Sequence, residues 1–432
     1  VCANDAINCS ALVDYGRGIP HFYGEVLNHV FLALQTQTEA RREQLLKAAA
    51  FAKQRLEHVE KAGYSHATYH LLYYHAGTLN YLSLVETGAD KRKTLEEAIS
   101  VAERYEYYTG QLRPYWEYIR SGAFALLGRQ LYRLSQLEEK PEKKIELLNR
   151  SISNLETSIV GIQRYISSHP PRREVFSGQG QRQTWLGNAL DELYLVTHDK
   201  QILRRALQTY HEAAQSYARA DLPSRAAEAE WQTALVYDRL GEYLESASSF
   251  ESASKQYSQA ADSIPQLGNL YGDYAKYMES WSEIEKARQK HSERRYGEAK
   301  EHYQKTAELL GSTQKWAYLY PNYLAWAKLE EAEELSRADQ TEEAKDLFEQ
   351  AAKQFRETDE SVKARLNSIK EDEEAQMAAK VMSASAIRRQ YCDGRKAMEE
   401  ARILDRQGDH VASSREYASA ANTFQKLSLI HI

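Results

Sequence analysis

A chain of 432 residues has room for about three ordinary domains or for one elongated repeat array. Eight prolines and twenty glycines are too few for an all-β fold with many tight turns, while Ala, Glu, Leu, Lys, Gln and Arg lose little freedom in a helix and dominate. The net charge of −6 is spread over mixed-sign stretches with no basic stripe, which argues against a nucleic-acid partner, and no apolar run reaches the ~18–20 residues that span a bilayer.

Three cysteines, Cys2, Cys9 and Cys392, make no disulfide framework and point to a reducing, cytoplasmic setting. Thirty tyrosines suit helix seams and grooves that meet a partner, because the ring is apolar and its hydroxyl is not.

In chain order, residues 1–20 read as an irregular N-terminal segment, opening on Val1 with no Met and expected to be cut. Residues 21–168 read as N-terminal helical repeats. Two aromatic-rich stretches, Tyr64 to Val85 ("YSHATYHLLYYHAGTLNYLSLV") and Pro114 to Leu137 ("PYWEYIRSGAFALLGRQLYRLSQL"), alternate with looser repeat copies anchored at Leu45, Leu95 and Ile145, fifty residues apart. Prolines at 114, 141, 223 and 265 fit first-turn positions, where the missing N–H costs nothing.

Residues 169–180 contain Pro170, Pro171, Gly178 and Gly180, and are predicted to form a loop that no helix crosses. This loop is either a boundary between two subdomains or a projection from a continuous array.

Residues 181–426 carry the clearest periodicity. From Leu203, small or aromatic residues follow at +3, +7 and +10, namely Ala206, Tyr210 and Ala213. The same steps give Ser246, Phe250 and Ala253 from Tyr243, and Ala299, Tyr303 and Thr306 from Tyr296. They give Ala344, Phe348 and Ala351 from Thr341, and Ser413, Tyr417 and Ala420 from His410. Steps of three and four put each set on one helical face, where small side chains admit a close neighbour and the aromatic fills the gap between helices. Gly241-Glu242 and Gly408-Asp409 precede two anchors and supply turns. The last six residues, 427–432, break the pattern and read as a sequencing scar outside the fold.

This order resembles the tetratricopeptide repeat (TPR), whose second helix opens on Gly-Asp/Glu-Tyr and carries Ala, Tyr/Phe and Ala at these offsets. The resemblance covers residues 180–426 well and 21–170 loosely. The tripeptide Leu-Gly-Asn of that family's first helices occurs at Leu186-Gly187-Asn188 and Leu267-Gly268-Asn269. Anchors forty to sixty-nine residues apart depart from the family's usual ~34 and imply lengthened helices, reminiscent of SNAP-type adaptors. The fold expected is all-α, a right-handed α-solenoid of about eight antiparallel helix pairs. The resemblance further implies a concave surface lined by first helices, where Asn188 and Asn269 would hold a ligand's backbone or terminal carboxylate. Arg182, Tyr271, Tyr323 and Trp326 would surround them.

Signs of chemistry are few. The chain has no Gly-Lys dipeptide and therefore no P-loop, and no Gly-x-Ser-x-Gly elbow. His211-Glu-Ala-Ala-Gln215 lacks the second zinc ligand of a zincin motif. His66, His70 and His75 form the best metal constellation, but no carboxylate or Cys at helical spacing completes it, and packing or surface roles are expected. No catalytic residue, metal or cofactor is assigned. The expected function is a non-enzymatic scaffold or adaptor that binds a protein or peptide segment. The alternatives are a sensory or oligomerising region of a larger signalling protein, and a helical enzyme with an unrecognised site.

Overall fold

The computed structural model describes residues 20–36, 38–63, 65–111, 117–170, 172–366 and 372–430. Cys2, Cys9, Pro114 and the side chain of His66 lie outside them. Among the described residues are sixteen α-helices, two 3-10 turns and no strand. Contacts divide the chain into two compact units that meet between Asp221 and Leu222.

The first unit pairs α1 (Pro20–Gln35) with α2 (Thr38–Lys61), α3 (Ser65–Val85) with α4 (Gly88–Gly110), α5 (Glu117–Ser135) with α6 (Pro141–Ser168), and α7 (Arg173–Thr197) with α8 (Lys200–Arg219). The second unit pairs α9 (Pro223–Leu240) with α10 (Tyr243–Ser263), α11 (Gly268–Ser292) with α12 (Tyr296–Gly311), α13 (Tyr320–Arg337) with α14 (Thr341–Leu366), and α15 (Asp372–Arg406) with α16 (His410–Ile430). Within each unit every helix packs on the next in sequence, and short connections make these neighbours antiparallel, so each unit is built as an all-α solenoid of helix pairs.

The small-and-aromatic stripe faces inward. Ala206, Tyr210 and Ala213 on α8, Ser246, Phe250 and Ala253 on α10, and Ala344, Phe348 and Ala351 on α14 are all buried. Ala299, Tyr303 and Thr306 on α12 are buried as well. The looser copies follow the same rule, with Leu45, Ala48 and Ala52 on α2 and Leu95, Ala98, Ala102 and Tyr105 on α4 in the core. In α16, Ser413 and Ala420 are buried but Tyr417 is 42% exposed, because no following helix covers it among the described residues.

The turns repeat too. Gly241 and Gly408 adopt positive φ, and the amides of Glu242 and Asp409 donate back to the carbonyls of Tyr237 and Leu404. The same closure joins Arg295 to Lys290 and Gln340 to Leu335, with Arg294 and Asp339 in the left-handed position. These are Schellman turns, two of them built without glycine.

Four expectations need correction. The break at 169–180 does not extend to its second half: α6 ends at Ser168, and α7 begins at Arg173 and carries Gly178 and Gly180 inside it. Packing supplies the reason, since a Cβ on Gly180 would stand 3.0 Å from the ring of Tyr217 on α8, and one on Gly187 would stand 2.6 Å from Tyr210. These glycines permit close helix approach, and the packing gained offsets their cost of about 1 kcal/mol each. The units meet at Asp221/Leu222 rather than at that break. Pro265 opens a 3-10 turn, Pro265–Leu267, rather than α11 itself. The final helix runs to Ile430, and Leu427, expected to lie outside the fold, is buried. The lengthening is real: α11, α14 and α15 have 25, 26 and 35 residues.

A candidate binding groove in the first unit

The first helices of the first unit touch in succession, α1 to α3, α3 to α5 and α5 to α7. Along this layer lies a cavity of about 500 Å³ whose wall comes from those four helices alone. Such a volume is within the range of ligand pockets. Phe31 and Leu34 of α1 and Tyr73 and Tyr81 of α3 are exposed there, Tyr73 at 44% and Tyr81 at 40%. Tyr118 and Leu126 of α5 and Trp185 of α7 complete the apolar lining.

Among the described residues the lining holds two cations and no carboxylate. Arg129 of α5 places its guanidinium 4.6 Å from the centre of the Trp185 ring, a cation–π contact. Its Nε is buried and has no hydrogen-bond partner. Burial first, and then Arg133 one turn away, pull Arg129 down to about 10, so it stays cationic at neutral pH. Arg133 donates to the side-chain oxygen of Asn80 at 2.6 Å and to its carbonyl at 3.2 Å.

Arg182 of α7 is 9% exposed. Its Nε donates to Ser158 at 2.8 Å and one terminal nitrogen donates to the Gly178 carbonyl at 2.7 Å. Burial lowers its pKa, opposed by the surrounding Tyr118, Tyr73 and Tyr105. Arg129, Arg133 and Arg182 form no ion pair among the described residues, whereas Arg42, Arg104, Arg120, Arg150 and Arg205 of the same unit each meet a carboxylate.

Of the six residues expected to bind a partner, Arg182 lines this groove. Asn188 instead turns toward α8, where its side-chain oxygen accepts from the Tyr210 hydroxyl at 2.7 Å. The other four belong to the second unit. Asn269 is exposed in the first turn of α11, while Asn188 lies in the second half of α7, so the two Leu-Gly-Asn tripeptides occupy different places in their helices. Tyr271 stacks on Tyr257 at 6.1 Å. Tyr323 and Trp326 stack on Tyr303 at 6.4 and 5.4 Å, and Trp326 also lies beneath the guanidinium of Arg388. These rings pack between helices.

Sequence reasoning missed Arg129, Arg133, Tyr73 and Tyr81. Their helices stood out as aromatic-rich, but which arginine lacks an acid depends on residues far away in sequence. Among the histidines, Tyr69 bonds the His70 ring at 2.8 Å. His75 is buried, and burial, with Lys53 and Arg104 adding to it, lowers its pKa to about 4. No group of three metal-ligating side chains occurs among the described residues, and none of the described helices is long and apolar enough to cross a membrane.

No protein-family model and no curated protein matches the chain. Solved structures with similarity include the apo form of RapI (13% identity, 83% of this chain and 98% of that one, TM-score 0.35). A circular tandem repeat protein with novel repeat topology and enhanced subunit contact surfaces aligns at 16% identity over 98% of both chains, TM-score 0.32. The TPR domain of P58(IPK) aligns at 13% identity over 93% of this chain and 98% of that one, TM-score 0.20. Its helix pairs, its buried stripe and its recurring turns make the chain an all-α helical repeat protein.

Proposed function

We propose that the protein is a non-enzymatic scaffold that binds an extended segment of another protein in the groove of its first unit. One observation carries this reading: Phe31 and Leu34 of α1 and Tyr73 and Tyr81 of α3 are exposed along a single cavity walled by four successive first helices. Large apolar side chains gathered in one concavity mark an interaction site, and tyrosine and tryptophan give contact area at low entropic cost. The groove crosses several helices, which suits a chain laid across them better than a compact substrate.

The test is a random-peptide display library panned on the full chain. Binders are expected that lose affinity to a Tyr73→Ala, Tyr81→Ala double variant of unchanged melting temperature. A library that yields no binder, or binders indifferent to both substitutions, would falsify the assignment of the groove.

A further inference from the structure

The groove pairs two features that the fold itself does not need. The first is its uncompensated charge. Among the described residues Arg129 and Arg182 line the cavity, no Asp or Glu does, and the buried Nε of Arg129 has no acceptor. Holding a desolvated cation without a counter-ion is unfavourable, and folded proteins seldom leave a buried donor unpaired without a reason.

The second feature is space. Gly77 of α3 and Gly122 of α5 lie inside helices and line the same cavity, and a Cβ on either would meet nothing within 4 Å. By contrast, a Cβ on Gly128, one and a half turns further along α5, would stand 2.6 Å from Leu155 of α6. Gly128 is therefore explained by helix packing, and Gly77 and Gly122 are not. A glycine within a helix is unfavourable relative to alanine, so two of them facing one open cavity mark where something else approaches the helix surface closely.

We propose that the segment bound in this groove is acidic: an Asp or Glu side chain is held by the guanidinium groups of Arg129 and Arg182 while the segment's main chain passes over Gly77 and Gly122. This rests on the groove being a peptide site, as proposed above. A carboxylate matches the site because it accepts from both guanidiniums and supplies the missing counter-charge. The exposed Phe31 and Leu34 take an apolar residue beside it. Trp185 keeps Arg129 in place through the ring contact.

The experiment uses peptides displayed as internal segments, so that no free C-terminus is present. The best binder is then synthesised together with a counterpart in which each Asp or Glu is replaced by its amide. Enriched peptides are expected to carry an acidic residue beside an apolar one, and the amide counterpart is expected to bind about ten- to a hundred-fold more weakly. With Arg129→Gln, acid and amide peptides are expected to bind nearly alike, which assigns the effect to this contact. Gly122→Leu is expected to abolish binding of both. Equal affinity of the acid and amide peptides for the parent protein overturns the acidic selectivity while leaving a peptide groove. Recovery of no peptide overturns the groove itself. The acid–amide comparison is made on the parent chain, so it stands whether or not a variant folds.

Discussion

In the first unit, first helices leave tyrosines and arginines facing an open groove; in the second, they press their aromatic rings onto neighbouring helices and match their charges. Tyr277 of α11 stacks on Trp316 at 4.1 Å, and Trp326 lies between Tyr303 and Phe355. Arg395 meets Glu333 at 2.9 Å, His291 meets Glu330 at 2.9 Å, and Glu283 receives Lys286, Lys305 and His302. Burial works against the charged form of Glu283, yet those three donors hold its pKa down at about 2. The same repeat thus yields a closed, paired wall in one unit and an open, unpaired one in the other. Pairing explains a buried charge by structure; its absence calls for a ligand.

Removing packed volume gives the sharpest contrast. Phe348→Ala, at a fully buried position of α14, is expected to cost about 3–5 kcal/mol, whereas Tyr81→Ala in the groove is expected to stay within about 0.5 kcal/mol. Denaturant titration of both variants checks this, and similar losses would mean that the groove is as closely packed as the second unit.

The next contrast is in sign. Arg395→Met strips Glu333 of its cation and is expected to destabilise by about 2–3 kcal/mol. Arg129→Met removes a cation that has no anion, and is expected to leave stability unchanged or raise it slightly. If Arg129→Met melts well below the parent, that guanidinium has a structural partner and the comparison fails.

Glu285 sharpens the picture inside the second unit. Burial raises its pKa to about 7, with Arg288 opposing and Asp238 adding to the shift, and one of its oxygens lacks a partner. A carboxyl raised above its ordinary value favours the folded state when protonated. Its contribution is complete below the ordinary carboxylate range and is lost as pH rises through about 7. Between pH 5 and 8.5 the parent is expected to lose on the order of 1–3 kcal/mol relative to Glu285→Gln, which stays neutral throughout. Melting curves of both proteins at the two pH values decide it; a constant difference would show that Glu285 is ionised across the range.

The smallest effect is expected at the groove's glycines. Gly122→Ala meets open space and is expected to stabilise the free protein by about 0.5–1 kcal/mol, while Gly128→Ala drives a methyl into Leu155 and is expected to destabilise it. Loss of stability at Gly122 would show that its space is already used.

Much of this architecture was legible because a buried helical face imposes its own period. Ala344, Phe348 and Ala351 can be found by counting threes and fours, and they are buried. Turns at Gly241 and Gly408 were legible because glycine takes positive φ freely; the same turns at Arg294 and Asp339 were not, since nothing in those residue types announces them. Gly178 and Gly180 misled for a related reason: propensity is local, and the ring of Tyr217 that makes room for a helix there comes from α8. Asn188 resembled a ligand-binding residue until Tyr210 was seen to occupy its side chain. Arg182 was named from the sequence, but Arg129 and the lack of an ion pair at either arginine were beyond reach, because a missing ion pair is a property of four helices together.

The aromatic of the repeat has a consequence for how the second unit comes apart. Phe250 of α10 is covered by Trp281 of α11, Tyr303 of α12 by Trp326 of α13, and Phe348 of α14 by Arg395 of α15, so each pair is sealed by the pair that follows it. Among the described residues Tyr417 of α16 has no such cover. Cooperativity is then nearest-neighbour, as in a zipper, and the order of opening is written into the direction of the chain. Amide protons of α16 are expected to exchange fastest and those of α10 to α14 more slowly, a gradient that hydrogen-exchange mass spectrometry resolves; uniform protection would mean that the unit opens all at once. A strain or a bound partner at one joint would travel only as far as the next aromatic seal.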